Sequence, residues 1–327
     1  MILVEYMQGS KLNRRYFFTA LVMSASAFGA QEPLFVRSQA MAQFFRYSPH
    51  PLSFQSLETG ETKFKAGRTM SNYWGRDEGF IIDGQTIDDS AQIRMGLFHD
   101  VNMSIEFGSR RFTNIKMDDV AITFHDVFMI PQDKRTTVRR NGTRVAAPDY
   151  GLEITEENLF DPVSEQVGIK FEKSNFRWGD YQIAGSWQYT YETSEGSLIK
   201  EGAKDWGLQL GFHRDFLPIY SYGVGSFMVY DGYKDAQLYL RGRQSSLLLG
   251  IGYSMEQKQD LIFQALITES AYRDIGQLSR ASYEVHLGYR KFWQNIGLEF
   301  NFIENIFWPF NSPDWGVNLN MIYTFKG

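Results

Sequence analysis

The pair His125–Asp126 is the first place in this chain where residue types alone suggest chemistry. An imidazole titrates near neutrality, and a carboxylate beside it could orient it for acid–base or metal work. Adjacent residues point in different directions on a helix, however, and no second histidine stands at ligand spacing. His50, His99, His213 and His286 are scattered singly. No metal or cofactor is therefore expected, and a hydrogen bond toward an interior space is the plainer role for His125. A serine hydrolase would need a nucleophile beside its base. No histidine here precedes a serine by two residues, and no glycine-rich serine elbow occurs. A second cluster, Arg139, Arg140 and Arg144, surrounds Asn141–Gly142, a two-residue hairpin signal within 138–145. Arginines so placed could grip phosphates bidentately, or simply solvate a loop tip. A third set, Arg94, Glu106, Glu284, Glu299 and Glu304, carries both signs and alternates with apolar neighbours.

That alternation leads back to the elements that must position these groups. In the last stretch, Trp315, Val317, Leu319, Met321, Tyr323 and Phe325 fall on one face, while Gly316, Asn318, Asn320 and Thr324 fall on the other. Only Ile322 breaks the polar set. Eleven such residues, with aromatics at both ends, have the length of a tilted strand crossing a bilayer. The same scheme recurs at about 62–74, 85–98, 101–112, 163–173, 180–191, 203–213, 218–230, 244–254, 259–269, 281–290, 294–304 and 314–325. About twelve strands result, an even number, as a closed antiparallel barrel needs to return both termini to one side.

Connection lengths carry an independent signal. The even connections, 99–100, 174–179, 214–217, 255–258 and 291–293, are short. The odd ones, 75–84, 111–162, 192–202, 231–243, 270–280 and 305–313, are long. A membrane barrel has short periplasmic turns and long external loops, a parity that a soluble sandwich has no reason to keep. Trp74, Trp206, Trp308 and Trp315 fall at the expected external ends, Trp178 and Trp293 at periplasmic turns, and Trp187 in mid-strand. Within the longest loop, Val120, Phe124 and Phe128 recur at four-residue spacing, with Asp118, Asp119 and Asp126 on other faces. The spacing predicts a short amphipathic helix that folds inward as a constriction.

Composition agrees with an all-β transmembrane barrel. Aromatics reach 16%, yet mean hydropathy is −0.34, as expected when strands show lipid only every second residue. A net charge of −5 offers no basic field for nucleic acid. Cysteine is absent, which excludes disulfides and thiolate chemistry. At the N-terminus, Lys11, Arg14 and Arg15 precede an apolar run at 16–22 and small residues at 23–30, the pattern of a secretory signal peptide over 1–30. Cleavage is expected near 27–30, and Met7 is an alternative start. Residues 31–61, with Pro33, Pro49 and Pro51 and no clean period, are expected at the periplasmic mouth or tucked into the lumen, and 62–327 form the barrel.

Two stretches carry a family resemblance. One is 82–86 (Ile-Asp-Gly-Gln-Thr), followed by 124–128 (Phe-His-Asp-Val-Phe), Ile130–Pro131 and Arg135; the other is 304–306 (Glu-Asn-Ile), with Ser312, Pro313 and Asp314 leading into the last strand. Together they resemble a group of proteobacterial exported proteins known as domain of unknown function 3187. The resemblance implies an outer-membrane barrel without established activity, so no catalytic residues are carried over. Lys326 and Gly327 follow Phe325, whereas barrels usually end on the aromatic that the barrel-assembly machinery reads.

The expected location is therefore the bacterial outer membrane, with its lipid, lipopolysaccharide and the assembly machinery as partners. Arg139, Arg140 and Arg144 are the candidates for lipopolysaccharide phosphates. Arg94, Glu106, His125, Asp126, Glu284, Glu299 and Glu304 are the candidates for the lumen or its constriction. The expected function is not enzymatic: a passive channel, or a barrel that binds a small amphipathic solute or a lipid. A lipid-modifying hydrolase and a plugged structural or assembly barrel remain as alternatives.

Overall fold

The computed structural model describes residues 31–44, 46–77, 79–129, 139–150, 152–194, 202–231, 240–255, 258–305 and 311–325. The expected leader, Trp308, the terminal Lys326–Gly327, and Ile130, Pro131, Arg135 and Ile306 of the resemblance lie outside them. The strands are β1 (Thr62–Asp77), β2 (Phe80–Phe98), β3 (Val101–Thr113), β4 (Arg144–Ala147), β5 (Leu152–Ile154), β6 (Pro162–Trp178), β7 (Tyr181–Glu192), β8 (Lys204–Phe216), β9 (Ile219–Val229), β10 (Arg243–Met255), β11 (Gln259–Thr268), β12 (Ser282–Trp293), β13 (Ile296–Asn305) and β14 (Trp315–Phe325). Twelve of them close an antiparallel barrel, because β1 pairs with β2 on one side and with β14 on the other. The seam runs from Thr62↔Phe325 to Asn72↔Trp315.

The two faces of each strand sort by solvent preference, inverted from a water-soluble protein. Leu210 is 67% exposed and Leu319 58%, whereas Arg94 and Arg290 are 1% exposed. The outward band continues through Leu208, Leu249, Phe263, Leu287 and Phe300. Lipid takes that band at no cost, and the closed ring leaves no strand edge in hydrocarbon. On the outward face of β1 to β3, Asp89 meets Arg68 at 2.6 Å and Arg111 at 2.9 Å.

Three differences from the sequence expectations have physical causes. First, β1 and β2 run three and five residues past their expected long-loop ends, paired up to Asp77↔Phe80. There both faces are covered by protein, Trp74 and Asp83 on one side and Tyr73 and Ile82 on the other, so polarity stops alternating. Second, Asn141 does adopt a positive φ of 55°, but among the described residues 139–145 no paired hairpin forms about it. The following strand β4 pairs instead with β2 and β5, which extends the sheet beyond the rim. Third, the loop helix forms, as Asp118–Phe128, but it does not constrict the lumen. The Phe124 ring packs 5.0 Å from Phe302, which in turn lies 5.7 Å from Trp315. Asn72 Nδ2 donates to Asp118 at 2.7 Å. Phe302, Trp315 and Asn72 all have the outward parity of their strands, so Phe124 seats the helix on the outside of the rim, while Val120 stays exposed.

Over the long-loop end, an apolar cluster joins the loops to the barrel. It includes Tyr73, Phe80, Ile82, Phe112, Leu240, Tyr272, Ile275 and Leu278. Met41, Ala42 and Phe44, which form a single helical turn Met41–Phe44, are buried within it.

Candidate functional site

Residues 31–57 fill the lumen as a doubled-back strand of chain. The outbound leg starts near the short-turn end, where the Glu32 carboxylate meets Lys65 at 3.2 Å, Lys63 at 3.8 Å and Arg94 at 3.6 Å. Burial alone would raise the Glu32 pKa, but the three cations outweigh it and hold the carboxyl well below its ordinary range. Arg290 donates to the carbonyls of Glu32 and Pro33 at 3.1 and 2.9 Å. Higher up, Phe35 N–H donates to Glu299 at 2.7 Å, and its carbonyl accepts from Asn320 at 2.9 Å. Arg37 Nε donates to Asp88 at 3.1 Å. Gln39 and Ala40 N–H donate to Glu284 at 2.9 and 3.2 Å, with Ser38 Oγ on the same carboxylate.

After the turn Met41–Phe44 the chain returns. Tyr47 Oη donates to Glu106 at 2.9 Å. The His50 carbonyl accepts from Lys170 and Gln209, both at 3.2 Å. Ser53 N–H donates to Glu172 at 3.3 Å, and Leu57 N–H to Asn102 at 3.1 Å. The legs are laced to each other as well. Phe35 stacks on His50 with centroids 4.0 Å apart, Ser38 N–H donates to Ser48 Oγ at 3.1 Å, and Ser53 Oγ donates to Glu32.

Arg110 is the main tie at the turn. It donates to the carbonyls of Ser38 at 2.9 Å, Arg46 at 3.4 Å and Gln43, while pairing with Asp88 at 3.0 Å. Every one of these backbone groups would be costly to bury alone, so the wall supplies a partner for each.

The seven lumen candidates divide. Arg94, Glu106, Glu284 and Glu299 face inward and hold the plug. His125 lies on the outer rim, its Nε2 3.4 Å from the Asp314 carbonyl. Asp126 is exposed on the same helix. Glu304 shares the outward parity of Phe302, opposite Val285. These three therefore do not line the lumen. Among the basic loop residues, Arg139 meets Glu156 at 3.2 Å and Arg140 meets Asp119 at 2.9 Å, all exposed, and Arg144 is exposed at the start of β4. Exposed pairs of this kind contribute little and exchange readily with other anions.

Asp88, Arg110 and Arg290 were not singled out by sequence, which left two places open for residues 31–61, the periplasmic mouth and the lumen. A signal for the lumen existed in the wall glycines. A side chain at Gly108 would strike the Arg37 guanidinium, one at Gly211 the Phe54 ring, and one at Gly288 the Leu34 methyls. Inward glycines in a wall otherwise lined by long polar groups are recesses for something seated there.

A family model described as "Protein of unknown function (DUF3187)" matches residues 14–325. No curated protein matches the sequence. Among solved structures, an outer membrane channel designated COG4313 from Pseudomonas putida F1 superposes with a TM-score of 0.55 at 12% identity, over 85% of this chain and 100% of that one. The KdgM porin scores 0.45 at 7% identity, over 81% and 99%. The NanC porin scores 0.46 at 7%, over 81% and 100%. The first likeness shows a shared barrel fold of the outer-membrane type, and the two porins are too distant to argue from.

Proposed function

Since the chain belongs to the family described as protein of unknown function (DUF3187), its activity has to be argued from its own barrel, and we propose that it is a solute channel of the bacterial outer membrane, closed at rest by residues 31–57. The short turns face the periplasm, and the long loops with their apolar cap face outward. The loop arginines Arg139, Arg140 and Arg144 then stand where lipopolysaccharide phosphates would meet them.

The observation that carries this reading is the chemistry of the plug's seat. Over β1, β2, β3, β6, β12 and β13 it is chiefly a polar, charged wall joined to the plug by hydrogen bonds and ion pairs such as Arg37–Asp88 and Glu32–Lys65, while elsewhere Leu34, Val36, Leu52 and Phe54 pack on apolar wall groups such as Tyr222, Val224 and Leu248. Buried ion pairs seldom stabilise more than well-packed apolar side chains of similar volume would. A barrel filled only for strength would do as well with an apolar core. A wall of this kind can instead be rehydrated when the plug leaves, which an apolar one cannot. The barrel fold shared with the Pseudomonas putida channel is consistent with this reading.

The test is conductance of the purified full chain in planar bilayers, beside Arg110→Met, which loosens the plug. Discrete openings that become more frequent in the variant support a channel. Silence from both, with both barrels folded and with no entry of an uncharged solute, would instead identify a filled structural barrel.

A further inference from the structure

The lumen wall is electrically lopsided. Among the described residues most of its buried charges stand on β1, β2, β3 and β6, such as Lys65, Asp88, Arg94, Glu106, Arg110 and Lys170, with Glu284, Arg290 and Glu299 on β12 and β13 and Glu192 at the long-loop end of β7. Across the barrel, β8 to β11 keep ionisable groups only near their ends, Asp205 toward the long loops and His213 and Asp260 toward the short turns. Between these levels the inward side chains are amides, hydroxyls, aliphatics and tyrosines.

The plug respects the division. Toward the charged side it makes ion pairs. Toward the middle of β8 to β11 its polar contacts are neutral: Gln209 to the His50 carbonyl at 3.2 Å, Gln264 from Leu34 N–H at 3.2 Å, and Tyr230 Oη to the Tyr47 carbonyl at 3.0 Å; Arg46 adds a cation at the long-loop end, where it donates to the Asp231 carbonyl at 2.8 Å and lies 4.7 Å from the Tyr230 ring. On this side a crevice of about 20 Å³ separates plug from wall. Ser48, Pro49 and Pro51 line it from the plug, and Ser226, Ser246 and Leu248 from the wall. Such a volume admits about one water. Ser226 and Ser246 are half-buried, while their inward neighbours Val224 and Leu248 are buried, so the seam is loosely closed. Toward the short turns the crevice closes, and Tyr220 and Tyr222 are buried in one apolar cluster with Leu34, Leu52 and Phe54 of the plug. The two tyrosine rings lie across Gly252 and Gly250 and stack 6.2 Å from each other.

We propose that, short of full release of the plug, solute passes along this seam, between the plug's return leg and the β8 to β11 wall, and that the seam selects uncharged amphipathic solutes over ions of either sign. The inference rests on the channel reading and adds its route and substrate class. The charged wall then anchors the plug and does not filter. Tyrosine faces offer one side of a solute an apolar surface, and the Ser226, Ser246, Gln209 and Gln244 groups offer the other hydrogen bonds. An ion entering the seam would leave its water with no opposite charge to replace it.

The test is swelling of liposomes that carry the full chain, in p-nitrophenyl glucoside and in p-nitrophenyl glucuronide, which differ by one carboxylate. The glucoside is expected to enter at least about tenfold faster, because the carboxylate has to be desolvated. Ser246→Trp should lower glucoside entry by about as much by filling the crevice, and Ser246→Ala should not. Because Trp could perturb assembly, a second variant pairs Ser48→Cys with Ser246→Cys in a chain that has no other cysteine. Oxidation should then close the seam and dithiothreitol should reopen it. Equal entry of the two probes, or flux indifferent to both the tryptophan and the cross-link, overturns the seam and leaves the channel standing. No entry of either probe in the wild type or in Arg110→Met overturns both.

Discussion

Replacing Arg110 by methionine should open the barrel without unfolding it. In the seated state Arg110 serves three plug carbonyls, those of Ser38, Gln43 and Arg46, and shares Asp88 with Arg37. Its guanidinium also lies 5.6 Å from the Phe44 ring. Methionine keeps much of the stem's volume and supplies none of the donors. Removing one partner of a buried charge pair costs about 3–5 kcal/mol, most of it from the groups left unpaired. When the plug is out, those carbonyls and Asp88 are hydrated, so nearly the whole penalty falls on the seated state. The seated-to-open ratio should then drop by a factor on the order of 10²–10³. Single-channel recording reads this as open probability, at unchanged current per opening if the conduit itself is the same. Heat-modifiable mobility in detergent confirms that the variant barrel is closed. A folded Arg110→Met protein whose open probability equals that of the wild type would refute the idea that this arginine fastens the plug.

Three further outcomes follow from the same geometry. Leu319→Arg should abolish stable insertion, read by membrane fractionation. A lipid-facing cation near the midplane costs about 2–4 kcal/mol, and position 319 is paired with Arg68, which adds like-charge repulsion to that cost. Gly108→Leu should raise open probability, because its side chain would occupy the place of the Arg37 guanidinium over Asp88; closure as tight as in the wild type would show that the recess is incidental. Glu32 predicts a pH dependence: its carboxyl is held below the ordinary value of 4.5 only while the plug is seated. A depressed carboxylate stabilises the seated state fully above its ordinary value, and that contribution fades as pH falls through the lowered one. Closure should therefore persist from neutrality to about pH 4.5 and weaken below it. Glu32→Gln should open more readily at neutral pH and lose this acid response, and an acid response retained in that variant would assign it elsewhere.

The strands were readable because lipid imposes a rule on every second residue. Leu298, Phe300 and Phe302 against Glu299 and Asn301 cannot be paired out of register without placing a carboxylate in hydrocarbon. Where lipid ends, so did the signal, which is why the upper parts of β1 and β2 were missed. The plug had no period to find: residues 31–57 touch wall on all sides, and their backbone is satisfied by Glu284, Arg290 and Arg110, not by a ladder. The loop helix was legible as a helix, but its apolar stripe fits a lumen mouth and an outer rim equally well. Phe302 and Trp315 decided for the rim. Asn320 shows the same limit from the other side. Its inward parity suggests a wet position tolerant of arginine, yet it is fully buried, donating to the Phe35 carbonyl and to Glu299.

Both legs of the plug leave the barrel at the short-turn mouth, and its bend lies beneath the loop cap. A doubled cord of this shape can be drawn out only from below. Tension applied near residue 31 would undo the outbound leg one contact at a time, as a zip opens, whereas the return leg is stitched to the wall by β1. The ring seam between β1 and β14 also joins nearly the first and last parts of the fold, so the return leg runs directly into the first stave of the hoop. Unloading therefore belongs to the short-turn side, and the loop cap at the other end can remain shut during the first moments of opening.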